Sequence, residues 1–262
     1  MPPRVLTIAG SDSGGGAGIQ ADLKTMEALG CYGMSAITAI TAQNTVGVFE
    51  VHDVPAGTVA RQIDAVLTDI GADAIKIGMV SVRETIVAIA GVLKDYPGIP
   101  VVVDPVMVAK SGDALLQPEA RAALIAELLP LAAVLTPNLP EAEALCGKAV
   151  ADEAGARRAG EAILAMGPRA VLMKGGHFDG AQATDWLVTP GGITAYHAAR
   201  IDTKNTHGTG CAYASAIACG LARGLELSDA VREAKTYLSG AIRHSLALGH
   251  GHGPLRHGWR GL

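Results

Sequence analysis

Short apolar segments rich in β-branched residues recur along the chain, with helical hydrophobic patterns between them. Several of these segments are apolar without alternation, which is typical of strands buried on both faces of a parallel sheet. Such a sheet needs helices on both of its faces. The sequence therefore predicts an α/β fold with strands at residues 5–9, 35–39, 74–77, 101–104, 133–136 and 170–174.

The segments between the predicted strands carry helical periodicity. We expect helices near residues 19–29, 57–70, 83–96, 118–129, 141–146 and 153–166. Residues 185–188 and 193–196 flank a Pro-Gly-Gly turn and predict a hairpin. Two further helices are expected at 208–223 and 228–247, and we interpret residues 1–262 as a single domain.

Residues 249–262 are rich in Gly and His and have no periodicity. His-rich segments can bind metals. Since no cysteine or organised acid accompanies His250, His252 and His257, we instead expect a disordered or loosely packed tail.

Charge and cysteine content limit the function classes. The net charge is −4, and no basic stripe with interleaved aromatics occurs, so nucleic acid is not an expected partner. No apolar run approaches the roughly 20 residues that cross a bilayer, and the apolar segment 5–9 is too short for a secretory signal. Four cysteines without a C-x-x-C pair suggest reduced thiols. We expect a cytoplasmic protein without disulfides.

The strongest chemical signal is the turn NTHGTGC at residues 205–211, which precedes a helix of small residues. Glycines at a helix start let backbone N–H groups converge on an anion, and the helix dipole favours negative charge there. Cys211 lies in the first turn of that helix, where a thiol pKa is generally lowered, so it could act as a thiolate base or as a polar orienter. Alternatively, the glycines only end a loop and Cys211 is a small core residue.

A second glycine-rich turn, residues 10–18, joins the first strand to the first helix. Gly16, Gly18 and Ala21 fit the dinucleotide-binding spacing, but that pattern requires an acid about 20 residues later. Residues 32–44 contain no Asp or Glu, and the G-x-x-x-x-G-K-[ST] phosphate loop is absent from the chain. Neither common nucleotide-binding signature is present.

Several longer segments together resemble one family, the hydroxymethylpyrimidine/phosphomethylpyrimidine kinases of thiamine biosynthesis. The segments are AGSD at 9–12, GGAGIQADLK at 15–24, TAQNT at 41–45, KIGM at 76–79, VDPVM at 103–107, AKSGD at 109–113, TPNLPE at 136–141, VLMKGGH at 171–177 and the turn at 205–211. They occur in the family's order. The resemblance implies a ribokinase-like three-layer sandwich with the active site along the carboxyl edge of a mostly parallel sheet.

The resemblance also implies residue roles in phosphoryl transfer from ATP. The N–H groups of Gly208, Thr209 and Gly210 would face the γ-phosphate, and Cys211 would face the substrate hydroxyl. The nucleotide contacts would be Lys174, Asn138, Lys235 and Lys110, with Lys110 in a mobile loop.

Asp104 and Glu141 would hold Mg²⁺ through water, since Mg²⁺ usually takes one or two carboxylates besides phosphates. Simpler explanations are N-terminal helix charge for Glu141 and a solvated surface lysine for Lys235.

On the substrate side, Gln43 is the candidate for reading the pyrimidine, because a carboxamide can accept from an amine and donate to a ring nitrogen. An ordinary loop glutamine is the alternative. Asp22 is a second candidate polar contact. Gly10, Ala17, Met79 and Val106 resemble the family's pocket wall.

Two other functions are compatible with these residues. A pyridoxal or pyridoxine kinase acts on a similar flat heteroaromatic alcohol, although Gln43 favours the aminopyrimidine. A non-catalytic ligand-binding relative would be expected to lose the glycine turn or Cys211. The resemblance also suggests a homodimer.

Overall fold

The computed structural model describes residues 1–107, 117–176 and 180–261, and nine strands of these residues form one sheet. The spatial order is β3-β2-β1-β4-β5-β6-β7-β8-β9. The strands are β1 Arg4–Asp12, β2 Tyr32–Gln43, β3 Val48–Asp53, β4 Ala74–Ile77, β5 Val101–Val103, β6 Ala132–Leu135, β7 Val171–Met173, β8 Gln182–Thr189 and β9 Gly192–Ala199. In spatial order, β2, β1, β4, β5, β6 and β7 pair in parallel. Strand β3 pairs antiparallel with β2, β8 with β7, and β9 with β8.

Helices cover both faces of the sheet. They are α1 Gly18–Ala28, α2 Ala56–Asp69, α3 Arg83–Leu93, α4 Pro118–Ala123, α5 Leu139–Cys146, α6 Glu153–Leu164, α7 Thr209–Ala222 and α8 Leu227–Arg243. One core lies between the sheet and α2 to α6, and the other lies between the sheet and α1, α7 and α8. The predicted α/β class with helices on both faces is confirmed.

The central strands contribute side chains to both cores, which explains their lack of alternation. In β5, Val101 and Val103 belong to one core and Val102 to the other. All three are buried. Each apolar side chain of such a strand removes its surface from water, so an uninterrupted Val run is stable here.

The strands that the sequence predicted all exist, but some boundaries differ. The helix expected at 118–129 ends as an α-helix at Ala123 and continues as a π-helical turn, Leu124–Leu128. The last long helix ends at Arg243 rather than near residue 247. Strand β3 was not predicted. It lies at the sheet edge, where Phe49 and Val51 are exposed. Its sequence therefore lacks the alternation of apolar and polar residues that indicates a half-buried strand.

The segment 249–261 is packed onto the rest of the molecule, so the expectation of a loose tail is wrong. Leu255 and His257 are buried. The indole N–H of Trp259 donates to the carbonyl of Tyr237, and the hydroxyl of Tyr237 donates to the carbonyl of His257. Glycines allow this close packing: a Cβ atom at Gly240 would lie 2.1 Å from the Trp259 ring. Among the described residues, no helix is long and apolar enough to span a membrane.

Candidate active site

A cavity of about 700 Å³ opens along the carboxyl edge of the sheet. Parallel strands bring their carboxyl ends to the same edge, which is where α/β sheets bind ligands. Of the residues predicted for the site, those lining the cavity are Gly10, Ala17, Gln43, Met79, Asp104, Val106, Asn138, Glu141, Lys174, Gly208, Thr209, Gly210, Cys211 and Lys235. Lys110 and its loop lie outside the described residues. Asp22 does not line the cavity.

The first glycine-rich turn is organised around Asp12, the last residue of β1. Its carboxylate is buried and accepts hydrogen bonds from the N–H groups of Gly14, Gly16 and Ala17 at 2.8, 3.0 and 2.8 Å. Nε2 of His207 lies 2.9 Å from Oδ2 of Asp12. Burial alone would raise the pKa of Asp12, but the hydrogen bonds from His207 and the backbone outweigh it and lower the pKa.

The second glycine-rich turn begins α7 and packs directly on the first. Gly208 is the N-cap of α7 and has a φ of 80°, a conformation that glycine adopts without strain. A Cβ atom there would lie 1.8 Å from the carbonyl oxygen of Gly16, so the position has no room for a side chain. The N–H of Thr209 points to the carbonyl of Thr206 at 3.3 Å. The other first-turn N–H groups of the helix have no intrahelical acceptor and are available to an anion.

Cys211 faces the cavity as a neutral thiol. Burial raises its pKa to about 11, with smaller upward contributions from Asp22 and Asp104, although Lys76 and a hydrogen bond from the Gly18 backbone oppose the increase. The expectation of a lowered pKa at the helix start is therefore wrong. The helix dipole is outweighed because the thiol lies deep between two glycine turns and near two carboxylates. Of the two roles considered for Cys211, the raised pKa favours a polar orienter.

Asp22 lies beneath the cavity floor in a fully buried polar cluster. Its carboxylate accepts from Nζ of Lys76 at 2.8 Å, from the Thr7 hydroxyl at 2.6 Å and from the Ser215 hydroxyl at 2.7 Å. We therefore do not retain Asp22 as a substrate contact. Lys76 was not predicted. Burial alone would lower the pKa of Lys76, but Asp22, Cys211 and Asp104 raise it, so Lys76 is a buried cation close to the thiol.

Lys174 lies between two carboxylates at the strand ends. Its Nζ is 2.6 Å from Oδ1 of Asp104 and 3.8 Å from Oε2 of Glu141. A Cβ atom at Gly210 would lie 3.2 Å from Oδ2 of Asp104 and 3.3 Å from Nζ of Lys174, so both groups reach the second glycine turn. Burial alone would lower the pKa of Lys174, but Asp104 and Glu141 raise it.

Glu141 has a structural role in α5 and also faces the cavity. It forms a capping box with Asn138, in which each side chain accepts from the other residue's backbone N–H. Burial raises the pKa of Glu141 to about 7, although Lys174 and hydrogen bonds from Asn138 oppose the increase. The helix-start explanation weighed for Glu141 is confirmed, and it is compatible with a second role at the cavity.

A polar cluster that sequence reasoning missed surrounds Asp185 on β8. Its Oδ1 accepts from the N–H of Gly175 at 2.8 Å, and its Oδ2 accepts from the hydroxyl of Tyr213 at 2.8 Å and from Nζ of Lys235 at 2.6 Å. Lys235 is thus a mostly buried cation at the cavity wall, and the surface alternative is wrong. Asp185 does not stand out in the sequence, because its partners are distant in the chain, whereas Asp12 ends the AGSD segment and is bonded to the nearby Gly14, Gly16 and Ala17.

Gln43 is the last residue of β2 and lines the cavity. Its Oε1 accepts from the Thr41 hydroxyl at 3.1 Å, and its backbone is bonded to Ser13. The neighbouring wall is small and apolar: a Cβ atom at Gly10 would lie 3.3 Å from Sδ of Met79. Gln43 is therefore a strand residue facing the cavity rather than an ordinary loop glutamine.

A family model described as phosphomethylpyrimidine kinase matches residues 12–256 of this chain. The hydroxymethylpyrimidine/phosphomethylpyrimidine kinase of Rhizobium meliloti (strain 1021) is 58% identical over 260 residues, which cover 98% of this chain and 97% of that protein.

Two solved structures are similar. The crystal structure of phosphomethylpyrimidine kinase from Clostridium difficile 630 is 51% identical, has a TM-score of 0.82, and covers 92% of this chain and 99% of its own. The ADP complex of Bacillus subtilis pyridoxal kinase is 37% identical, has a TM-score of 0.93 and covers all of both chains.

Proposed function

This chain belongs to the phosphomethylpyrimidine kinase family, and from that premise we propose that it phosphorylates 4-amino-5-hydroxymethyl-2-methylpyrimidine with ATP. A second transfer to the monophosphate gives the diphosphate, as a step of thiamine biosynthesis. The chain is a phosphotransferase with a ribokinase-like fold.

One observation supports the proposal most directly. The glycine turn at the start of α7, the Lys174 ammonium and the Asp104 carboxylate meet at Gly210. Phosphoryl transfer depends mainly on positioning and on neutralising charge. Backbone N–H groups and a buried lysine supply positive charge to the migrating phosphoryl group at this point.

The acceptor half of the cavity contains Gln43 and the wall formed by Gly10, Ala17, Met79 and Val106. We assign Gln43 to the pyrimidine, where its carboxamide accepts from the exocyclic amine and donates to the adjacent ring nitrogen. The apolar wall holds the flat ring. The hydroxymethyl group then faces Cys211.

The donor half contains the two mostly buried lysines, Lys174 and Lys235, and Asn138 also lines the cavity. We assign both lysines to the ATP phosphates. Each is already paired with a carboxylate, so each is held in place before the nucleotide arrives. The resemblance also assigns Lys110 to the nucleotide.

The residues present fit a magnesium ion that is carried in with the nucleotide. Asp104 and Glu141 both approach Lys174, and no group of three or more metal-ligating side chains occurs among the described residues. Two carboxylates with water and phosphates are the usual magnesium environment. Bound there, Mg²⁺ would neutralise charge on the transferred phosphoryl group.

Cys211 acts as a neutral thiol that orients the acceptor oxygen. The pKa of about 11 leaves little thiolate at neutral pH. A strong base is not needed, because the transition state of phosphoryl transfer is loose in most analyses and bond formation to the acceptor is late. The hydroxyl proton leaves as that bond forms and passes to a phosphoryl oxygen or to solvent. In the second transfer the acceptor is a phosphate oxygen that is already anionic. One arrangement can therefore serve both steps.

The test is to incubate the purified chain with the hydroxymethylpyrimidine, ATP and Mg²⁺, and to follow the mono- and diphosphate by mass spectrometry. We expect both products in sequence. If ATP is consumed only with other alcohols, or not at all, the proposed substrate is wrong.

Pyridoxal is a second candidate substrate, because the fold is also similar to a pyridoxal kinase. Gln43 favours the aminopyrimidine, so we expect a higher kcat/KM for it than for pyridoxal. The non-catalytic alternative is not retained, since the glycine turn, Cys211, Lys174 and Asp104 meet at one cavity.

A homodimer and a cytoplasmic location remain part of the proposal. The dimer is supported by the resemblance and by the exposed apolar side chains of the β2–β3 edge. The cytoplasm is where the co-substrate ATP is supplied.

A further inference from the structure

The segment that follows α8 includes residues 251–254, which we call the strap and which pack against two loops beside the cavity. Although these residues show no periodicity in sequence, the strap makes hydrogen bonds to two different loops that border the cavity. One loop follows Gln43, and the other leads into the glycine turn at Gly208.

On the α7 side, the strap pairs with the residues just before the glycine turn. The N–H of His207 donates to the carbonyl of Gly253 at 3.1 Å, and His207 forms a parallel bridge with Pro254. The N–H of Gly253 donates to Oδ1 of Asn205 at 3.2 Å. Nδ1 of His252 lies 2.8 Å from the carbonyl oxygen of Lys204. This loop leads directly into Gly208, the N-cap of α7.

On the β2 side, the strap is bonded to Thr45, two residues after Gln43. The N–H of Gly251 donates to Oγ1 of Thr45 at 3.2 Å, and the N–H of His252 donates to its carbonyl oxygen at 3.0 Å. The strap thus joins the loop after the candidate pyrimidine reader to the loop before the candidate phosphate site.

A buried pair of side chains, Asp12 and His207, also connects the two glycine-rich turns. Asp12 orders the first glycine turn, and its Oδ2 lies 2.9 Å from Nε2 of His207, which immediately precedes Gly208. A Cβ atom at Gly16 would lie 2.4 Å from the His207 ring and 3.2 Å from Pro254. The first turn, the second turn and the strap are therefore in mutual contact.

We propose that the strap and His207 are positioning elements for phosphoryl transfer: they fix the glycine turn at the start of α7 relative to the acceptor site at Gln43. His207 acts through Gly208 rather than on the reacting atoms. This inference rests on the proposed function. Its physical basis is that a displacement of about 1 Å away from the chemistry can cost up to about a hundredfold in rate.

Substitutions at two glycines of the strap test its α7 side and its β2 side separately. A Cβ atom at Gly253 would lie 2.1 Å from the Leu246 carbonyl and 2.6 Å from Oδ1 of Asn205, so Gly253→Ala pushes the strap away from the α7 loop. At Gly251 it would lie 1.9 Å from the carbonyl oxygen of Thr45, so Gly251→Ala disturbs the β2 side. Gly258→Ala is the matched control, because no heavy atom lies within 4 Å of its added Cβ.

We expect Gly253→Ala to lower kcat by at least about tenfold and to leave the KM for the pyrimidine within about twofold. Gly251→Ala is expected to raise that KM by about fivefold, the effect of one hydrogen bond. Gly258→Ala should match the wild type. A purely structural role would reduce the active fraction in both variants without this split between kcat and KM, and that result would overturn the proposal.

Residue-resolved amide hydrogen exchange gives a readout that does not depend on activity. Loss of the strap contact exposes the His207 amide directly, whereas loss of positioning also accelerates exchange at Thr209 and Ala212, which are bonded to Thr206 and Gly208. Unchanged exchange at Thr209 and Ala212 in Gly253→Ala would overturn the inference. If the wild type does not phosphorylate the pyrimidine, the proposed function fails, and exchange alone decides on the strap.

His252→Ala covers the case in which Gly253→Ala does not fold. It removes the contact of Nδ1 with the Lys204 carbonyl and adds no atoms. We expect kcat to fall about threefold and exchange at Thr209 to accelerate. Wild-type values for both quantities would contradict the proposal.

Discussion

Cys211 illustrates how burial can reverse the effect of a helix terminus on a thiol. The helix start and Lys76 both favour the thiolate, but burial and the nearby carboxylates have the larger effect on the pKa. A neutral thiol can still direct the acceptor oxygen toward the phosphate. The residue therefore contributes to positioning without being a base.

The Cys211 side chain can be tested by two substitutions. We expect Cys211→Ala to lower kcat by about tenfold, which corresponds to the loss of one hydrogen bond that positions the acceptor oxygen. Cys211→Ser keeps a neutral polar atom at the same place and should retain a kcat closer to that of the wild type. Steady-state kinetics with the pyrimidine and ATP measures both, and an unchanged kcat in Cys211→Ala would exclude the role.

The raised pKa of Cys211 predicts its reactivity toward iodoacetamide. Only the thiolate reacts, so the alkylation rate of the folded protein should be low at pH 8 and should rise with pH toward about 11. In denaturant the same thiol should titrate near its ordinary value of about 8.5. Peptide mass spectrometry separates Cys211 from the other three cysteines. A folded-state midpoint near 8.5 or below would contradict the structure.

Single residues were predicted from the sequence only where a motif surrounds them. Lys174 and Asp104 close buried strands, and their position at the carboxyl edge follows from the parallel pattern. Asp185 has no local signal, because it meets Lys235 only after folding, and the contact of Asp12 with His207 is likewise a tertiary one. Asp22 is polar and near the glycine turn, but its burial against Lys76 is a tertiary property.

At the scale of elements, predicted strands agree with the structure where both faces are buried. Strand β5 is apolar throughout and β4 is apolar except for Lys76, and the limits of both follow closely from the sequence. Strand β3 escapes prediction because it is an exposed edge strand whose Phe and Val face outward. The packing of the segment after α8 was not predicted, because its glycines pack through backbone contacts and such contacts produce no hydrophobic periodicity in the sequence.

His257 predicts how the packing of this segment responds to acid. Burial, with a smaller effect of Lys24, lowers its pKa to about 4, below the value of about 6.5 in an unfolded chain. Between these values the unfolded chain binds more protons, so the free energy of unfolding falls as the pH falls from about 6.5 to about 4. Above pH 6.5 both states are neutral and His257 adds no pH dependence.

Replacing His257 by Gln should remove this part of the pH dependence, about 1 to 3 kcal/mol between pH 6.5 and 4. Urea unfolding of both proteins at several pH values measures it. His250→Gln is a suitable control, because His250 is exposed. Equal slopes for wild type and His257→Gln in this pH window would show that His257 is not held neutral in the fold.

At the scale of the whole molecule, the edge formed by β2 and β3 is the surface best suited to self-association. Phe49 is 70% exposed and Ile40 is 53% exposed, with Val46 and Val51 nearby. Apolar side chains in one exposed region often mark an interface, and an open strand edge can pair with another chain.

We expect the wild type to sediment as a dimer and Phe49→Asp to sediment as a monomer, because a buried unpaired carboxylate opposes association. Val87→Asp places the same charge at another exposed apolar position, on α3, and should leave the dimer intact. Sedimentation velocity distinguishes these outcomes. A monomeric wild type would exclude the dimer, and a dimeric Phe49→Asp would place the interface elsewhere.

Gly16 and Gly208 are separated by most of the chain, yet the carbonyl of the first occupies the space that a side chain on the second would need. The residues allowed in one turn therefore depend on the other turn, although neither turn can be predicted from the other in the sequence. Recombination between related genes that imports one turn with a bulkier residue would disable the other. Chimeras of this chain with a relative should stay active only when the chimera has glycine at both of these positions.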